Sequence, residues 1–315
     1  MNARNSDAAS PEAVTHLPPL PDSIEQVSGR LADLRYVTDR ALATAIFLAM
    51  RLPKPLLLEG EAGVGKTEVA KVLATATGGR LIRLQCYEGL DINQAVYEWN
   101  YSRQMLHIRL LEAQGSARDG RLEDLFSPEF LVRRPLLQAL ETGDDASPPV
   151  LLVDEIDRAD DELDAFLLEM LADYQVTVPE IGTIRADRPP HVVITSNRTR
   201  ELHDALKRRC LYHWIEYPTF EKELRIVAAR VPNIADTLAR QITAFVQALR
   251  QEELYKVPGI AETLDWAGAL VELGVRSVGY DDADATLGAL VKHQEDMAHV
   301  RGQRLKNLLD TAAES

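Results

Sequence analysis

The segment Gly60-Glu-Ala-Gly-Val-Gly-Lys-Thr67 sets three glycines, a lysine and a threonine at the spacing G-x-x-x-x-G-K-[ST]. Glycines let a backbone curl until successive N–H groups point at phosphate oxygens, and a helix starting at the end of the turn adds partial positive charge. In that chemistry Lys66 reaches the β- and γ-phosphates and Thr67 offers its hydroxyl to Mg²⁺. Gly60, Glu61, Ala62, Gly63, Val64, Gly65 and Glu68 complete the cradle. A second signal is Asp154-Glu155, which closes the apolar run Val150-Leu-Leu-Val153. Asp154 is suited to hold Mg²⁺ directly or through water, and Glu155 to orient and polarise an attacking water. A third apolar run ends in Thr195-Ser196-Asn197, and the basic stretch Leu206-Lys-Arg-Arg-Cys210 follows.

These residues need a scaffold, and the apolar pattern describes one. The runs at 55–59, 149–154 and 191–195 are too short for helices and β-branched enough for strands buried on both faces. Helical stretches separate them, so the expectation is an α/β fold with a mainly parallel sheet, whose C-terminal edge is where ligands bind. Two amphipathic helices fit Ser23 to Met50, and Leu163, Phe166, Leu167, Met170, Leu171 and Tyr174 form a helical stripe. Asp160-Asp161-Glu162 reads as the first turn of that helix, favoured by its dipole. The alternation from Val176 to Ile184 around a glycine reads as a hairpin. Beyond Tyr217 every apolar pattern is helical. The expected organisation is a tail over 1–23, an αβα core over 24–218 and a helical lid over 219–315. The core carries an insertion at about 89–122 and a hairpin at about 174–185.

Composition narrows the function classes. With 315 residues, 46% apolar and 27% charged, the chain is long enough for about two domains and unlike a disordered one. Thirty-five basic against 49 acidic residues leave a net charge of −14, which disfavours nucleic acid and anionic membrane as partners. No run approaches a membrane span and the N-terminus lacks a signal-peptide core, so no integral membrane segment is expected. Two distant cysteines, Cys86 and Cys210, indicate a reducing compartment, with the cytoplasm as the default.

GEAGVGKT, VLLVDEID, TSN and LKRRC, in that order and followed by a helical domain, resemble the AAA+ ATPases. The resemblance covers nearly everything from about residue 24 onward. It implies ATP with Mg²⁺, a ring assembly such as a hexamer, and a lid that moves with the nucleotide cycle. Asn197 would occupy the sensor-1 position, and an arginine of LKRR would reach the nucleotide of the neighbouring subunit. Arg209 is the first choice for that finger and Arg208 the alternative; a basic helix end capping its own carbonyls is the plain reading. The hairpin and the insertion look like those of the MoxR group. LIRLQCYEGLD, YEWNY, LKRRCLYHWIEYP and ETLDWA are similar to the MoxR-type ATPases encoded beside carbon monoxide dehydrogenase. That likeness implies a chaperone maturing a metalloenzyme, with a von Willebrand A-domain partner. Clients of the Rubisco or nitric oxide reductase type, and an ATP-gated switch, are the alternatives; DNA-directed activity is weakened by the acidic charge. Gly259-Ile-Ala-Glu-Thr-Leu-Asp-Trp266 lacks the sensor-2 arginine that many relatives carry there.

Other residues suit chemistry less well. Tyr87, Tyr97, Trp99 and Tyr101 could grip a client in a central channel or form the insertion's own core. His203 and His213 have no metal-ligand spacing. Cys86 fits a small buried hydrophobe better than a redox group.

Overall fold

The computed structural model describes residues 20–113, 125–141 and 147–313. The tail therefore lies outside the described residues up to position 19, as does the insertion beyond 113.

Two capped helices open the fold: α1 (Ile24–Asp33), whose N-cap Ser23 accepts from Gln26 N–H, and α2 (Arg40–Arg51), capped likewise by Asp39 to Leu42. Then come β1 (Leu56–Gly60), α3 (Lys66–Thr77) and β2 (Leu81–Gln85). The insertion contributes α4 (Ile92–Ala95), β3 (Tyr97–Trp99) and α5 (Tyr101–Ala113), and β3 pairs antiparallel with β4 (Leu131–Arg133). The chain continues through α6 (Pro135–Leu140), β5 (Val150–Asp154), a 3₁₀ turn (Ile156–Arg158) and α7 (Asp161–Asp173). A hairpin of β6 (Gln175–Val178) and β7 (Gly182–Arg185) precedes β8 (His191–Ser196), α8 (Asp204–Arg209) and β9 (Leu211–Ile215).

The central sheet has the order β2-β5-β8-β1-β9 and every pairing is parallel. The inner strands β5, β8 and β1 are buried along nearly their whole length, because successive residues feed opposite layers. Leu57, Leu151, Val153 and Ile194 enter the core beneath α6 and α7, whereas Leu56, Leu58, Val150, Leu152 and Val193 enter the one beneath α1, α2 and α3. The crossover from β1 through α3 lands on the far edge strand β2. The phosphate-loop candidate thus sits where strand order reverses, the usual place for a ligand in such sheets.

The helical part comprises α9 (Phe220–Arg230), α10 (Asp236–Leu249), α11 (Ile260–Glu272), α12 (Tyr280–Leu290), α13 (Gln294–Val300) and α14 (Gln303–Ala313). It has its own core around Phe245 and Trp266, rings 4.9 Å apart, with Trp266 Nε1 donating to Thr286. A buried polar group joins α9, α10 and α11: Glu223, wholly buried, accepts from both Nη atoms of Arg250 at 2.6 and 2.7 Å and from the Thr263 hydroxyl at 2.8 Å. Thr263 and Trp266 of ETLDWA thus serve mainly the interior of this helical part. Among the described residues no helix is long and apolar enough to cross a membrane.

Candidate active site

The loop after β1 takes the shape its glycines permit. Gly63 and Gly65 have φ of 79° and 92°, a left-handed backbone that costs other residues energy, and a side chain on Gly60 would stand 2.2 Å from the Ile215 carbonyl. Gly65 caps α3 without a side chain, so the first amides of that helix face the loop. Lys66 is almost fully buried and folds back to donate to the carbonyls of Gly60 and Glu61 at 2.7 and 2.6 Å. Burial pushes its pKa below the ordinary lysine value against the pull of Asp157, Glu61, Asp154 and Glu155.

Facing this loop, the ends of β5 and β8 carry the acidic and polar groups. Asp154 is 2% exposed; its Oδ1 accepts from the hydroxyls of Thr67 at 2.9 Å and Thr195 at 2.6 Å. Its Oδ2 accepts from Arg83 Nε at 3.0 Å and Nη2 at 2.5 Å. Glu155, with a left-handed φ of 56°, is half-buried and accepts from Gln85 at 3.1 Å and Asn197 Nδ2 at 3.4 Å. Asp157 accepts from the amides of Asn197 and Thr199 and from the Thr199 hydroxyl. Burial raises its pKa, but those hydrogen bonds outweigh it and hold the carboxyl below the ordinary value. Arg200 forks onto the fully buried Asp164 at 2.9 Å twice, fastening the loop after β8 to α7.

A cavity of about 350 Å³ opens over this edge, within the usual range of small-molecule sites. Ala62 to Glu68, Asp154, Glu155, Thr195 and Asn197 form one wall; Gly60 and Glu61 lie behind it as acceptors for Lys66. Tyr36, Val37, Leu42, Ile215 and Pro218 add apolar surface, and Ile226, Ile260 and Leu264 come from the lid. Arg35, Lys66, Lys71, Lys222 and Arg230 also line it, together with Glu68, Asp154, Glu155 and Glu216, so the cavity offers cations for an anionic ligand beside carboxylates for a metal ion. The lid touches the loop directly. Ile260 N–H donates to the Gly63 carbonyl at 2.9 Å, and a side chain on Gly259 would meet Gly63 backbone at 2.7 Å. Two ion pairs flank that contact, Arg230–Glu68 at 3.0 Å and Lys222–Asp39 at 2.6 Å.

Arg208 and Arg209 do not line the cavity. Both are exposed at the end of α8; Arg209 donates to the Leu168 carbonyl, whereas Arg208 has no hydrogen bond or ion pair among the described residues. The four aromatic residues divide: Trp99 is buried against Phe126 and Phe130, Tyr97 is half-buried, and Tyr87 and Tyr101 are 46% and 67% exposed. Cys86 is 1% exposed and burial, helped by nearby carboxylates, pushes its thiol up to about 12, which leaves no thiolate at neutral pH. His203 sits at the start of α8 and His213 on β9, where burial lowers its pKa. Sequence reasoning missed Arg83, Gln85, Asp157 and Arg200. The only local signal for the first two is the alternation of polar with apolar residues in Leu81-Ile-Arg-Leu-Gln85.

Residues 55–210 match the family described as AAA domain (dynein-related subfamily). The fold is similar to that of a mutant RuvB from Thermotoga maritima at 16% identity, covering 87% of this chain and 72% of that one, with a TM-score of 0.48. It is also similar to a candidate ATPase from Cytophaga hutchinsonii at 16% identity, covering 91% and 93%, with a TM-score of 0.45. The segment that matches the AAA domain holds the glycine loop, Asp154, Glu155, Asn197 and both arginines, and ATP hydrolysis is the activity that this match supports.

Proposed function

We propose that this ATPase works as a MoxR-type ring, such as a hexamer in the cytoplasm, that couples ATP hydrolysis to the maturation of a metalloenzyme. The molybdenum-copper carbon monoxide dehydrogenase type is the first client to test, with a von Willebrand A-domain protein as adaptor. The observation that carries the nucleotide half is the convergence of the loop amides, Lys66, Asp154, Glu155 and Asn197 on one cavity. Lys66 leaves its two carbonyl acceptors for the β- and γ-phosphates. Thr67 and Asp154 are hard oxygen donors 2.9 Å apart beside the cradle, a donor set that suits Mg²⁺. Magnesium, when bound, neutralises charge on the phosphates. Glu155 accepts the proton of the attacking water and Asn197 orients it, both within reach of the same space.

Arg208 is the better finger on this geometry. Its guanidinium is unengaged among the described residues, while Arg209 ties α8 to α7. The finger acts only in an assembled ring, where a neighbour's guanidinium can raise turnover by about 10³ to 10⁵.

The remodelling half is supported by α5, on which Tyr101, Met105, Leu106 and Leu110 are each more than half exposed. Exposed apolar clusters of that kind mark partner contacts. The test is capture of client by the Glu155→Gln protein with ATP, alongside the same variant carrying Leu106→Glu and Leu110→Glu. Enrichment of a metalloenzyme that the double substitution abolishes supports the proposal. Turnover that no client or adaptor stimulates supports the switch reading instead.

A further inference from the structure

The Asp154 carboxylate has no acceptor capacity left. A carboxylate offers about four lone-pair sites, and four donors occupy it: the Thr67 and Thr195 hydroxyls on Oδ1, and Arg83 Nε and Nη2 on Oδ2. A metal ion, or a water in its shell, can use this carboxylate only if one donor withdraws. The three side chains differ in how readily they can do so. Thr195 is 1% exposed and also accepts from the Glu155 amide at 2.9 Å, so moving it would disturb the neighbouring acid. Thr67 can keep its proton on Oδ1 while its oxygen lone pairs face a metal. Arg83 is half exposed, at the end of a long side chain on edge strand β2, where water can resolvate it as it leaves.

We propose that Arg83 is a positioning residue that serves as the counter-cation of Asp154 in the nucleotide-free protein and yields Oδ2 when magnesium arrives with the triphosphate. This rests on the reading of Asp154 as the metal-side carboxylate. A buried carboxylate without a cation is costly, so the arrangement keeps the site neutralised between turnovers. It also makes divalent binding compete with an internal guanidinium, so that magnesium enters only when the phosphates add their share of ligation. Arg83 reaches Asp154 because β2 lies beside β5 with Gln85 opposite Asp154, which brings the residue two places earlier alongside the carboxylate.

The experiment measures the Mg²⁺ concentration at half-maximal binding of a fluorescent ATP analogue, and thermal unfolding in EDTA and in Mg²⁺ with ADP. Arg83→Ala should lower the Mg²⁺ midpoint by about tenfold or more, as loss of a charged hydrogen-bond competitor implies. The same variant should unfold at lower temperature than wild type in EDTA, with the gap narrowing once Mg²⁺ and ADP are present. Arg83→Lys, which keeps the charge but not the fork, should fall between them; it also serves if the alanine variant fails to fold. An unchanged or raised midpoint in the Arg83 variants, or an equal thermal deficit in both conditions, overturns the proposal. Asp154→Asn separates the two readings. A raised midpoint there beside an unchanged one in Arg83→Ala removes only the role of Arg83, whereas an unmoved midpoint in Asp154→Asn removes the metal-side reading as well.

Discussion

The two walls of the cavity are built on different principles. The sheet-edge wall is fastened largely by buried hydrogen bonds: Lys66, Asp154 and Thr195 are 6%, 2% and 1% exposed, and each has at least one buried partner. The lid wall meets the core through partly exposed ion pairs, Arg230–Glu68 and Lys222–Asp39, and through one backbone hydrogen bond between Ile260 and Gly63. Exposed pairs of that kind are worth about 0–1 kcal/mol each and are screened by salt, whereas buried groups lose heavily if a partner goes. The sheet-edge groups sit among partners whose loss would strand a buried charge, whereas the ion pairs at the other wall are cheap to break. On the proposed reading, that difference would let the helical part move with the nucleotide, without an arginine in the first turn of α11.

Substitutions at each wall can break or sharpen that contrast. At the sheet edge, Glu155→Gln is expected to keep nucleotide affinity while lowering turnover by about 10²- to 10⁴-fold, the usual worth of a general base. Lys66→Ala is expected to lose binding itself. Phosphate release and nucleotide titration, run together, check both, and equal ATPase rates for wild type and Glu155→Gln would remove the assignment. Within the lid, Glu223→Ala strands the buried Arg250 and should cost about 3–5 kcal/mol, read as a lower denaturant midpoint. The lid would then owe its cohesion to the same buried-charge physics as the core, leaving only its seam with the core weak.

The seam itself is reached by Gly259→Val. A branched side chain must push Gly63 and Gly259 apart, and strain of about 1–3 kcal/mol is the ordinary outcome of such overpacking. The expected result is weaker nucleotide binding by about tenfold, one decade per 1.4 kcal/mol. Unchanged affinity would mean that the lid does not sense the loop through this contact. Smallest of all, Arg230→Ala and Lys222→Ala should each change stability by about 1 kcal/mol or less, with the difference fading at high salt. A larger, salt-independent loss at Arg230 in the presence of nucleotide would mark it as a ligand contact from the lid.

How much of this could be read in advance depended on whether the residues were neighbours in sequence. Gly60 to Glu68, Asp154, Glu155 and Asn197 each belong to a short run in which an apolar strand delivers a polar end, and the pattern alone puts those ends on one sheet edge. The hairpin at 175–185 and the stripe on α7 were likewise local patterns of period two and period 3.6. Arg83 and Gln85 show only a polar–apolar alternation that does not name their partners, because those lie across the β2–β5 ladder, some 70 positions away in the chain. For the same reason ETLDWA carried a family likeness but not its purpose: Thr263 and Trp266 serve the lid interior, and the contact with the loop comes from Gly259 and Ile260 just before it.

The amino-acid sequence by itself determined the parallel α/β core, the glycine loop after β1 and the acids opposite it, since these follow from local periodicity and from glycine's freedom at positive φ. Only the tertiary structure decided which groups saturate Asp154, which of the paired arginines has no partner among the described residues, and how the helical part touches the loop. Those outcomes depend on strand order and domain docking, where hydrogen bonds close between segments that share no local pattern.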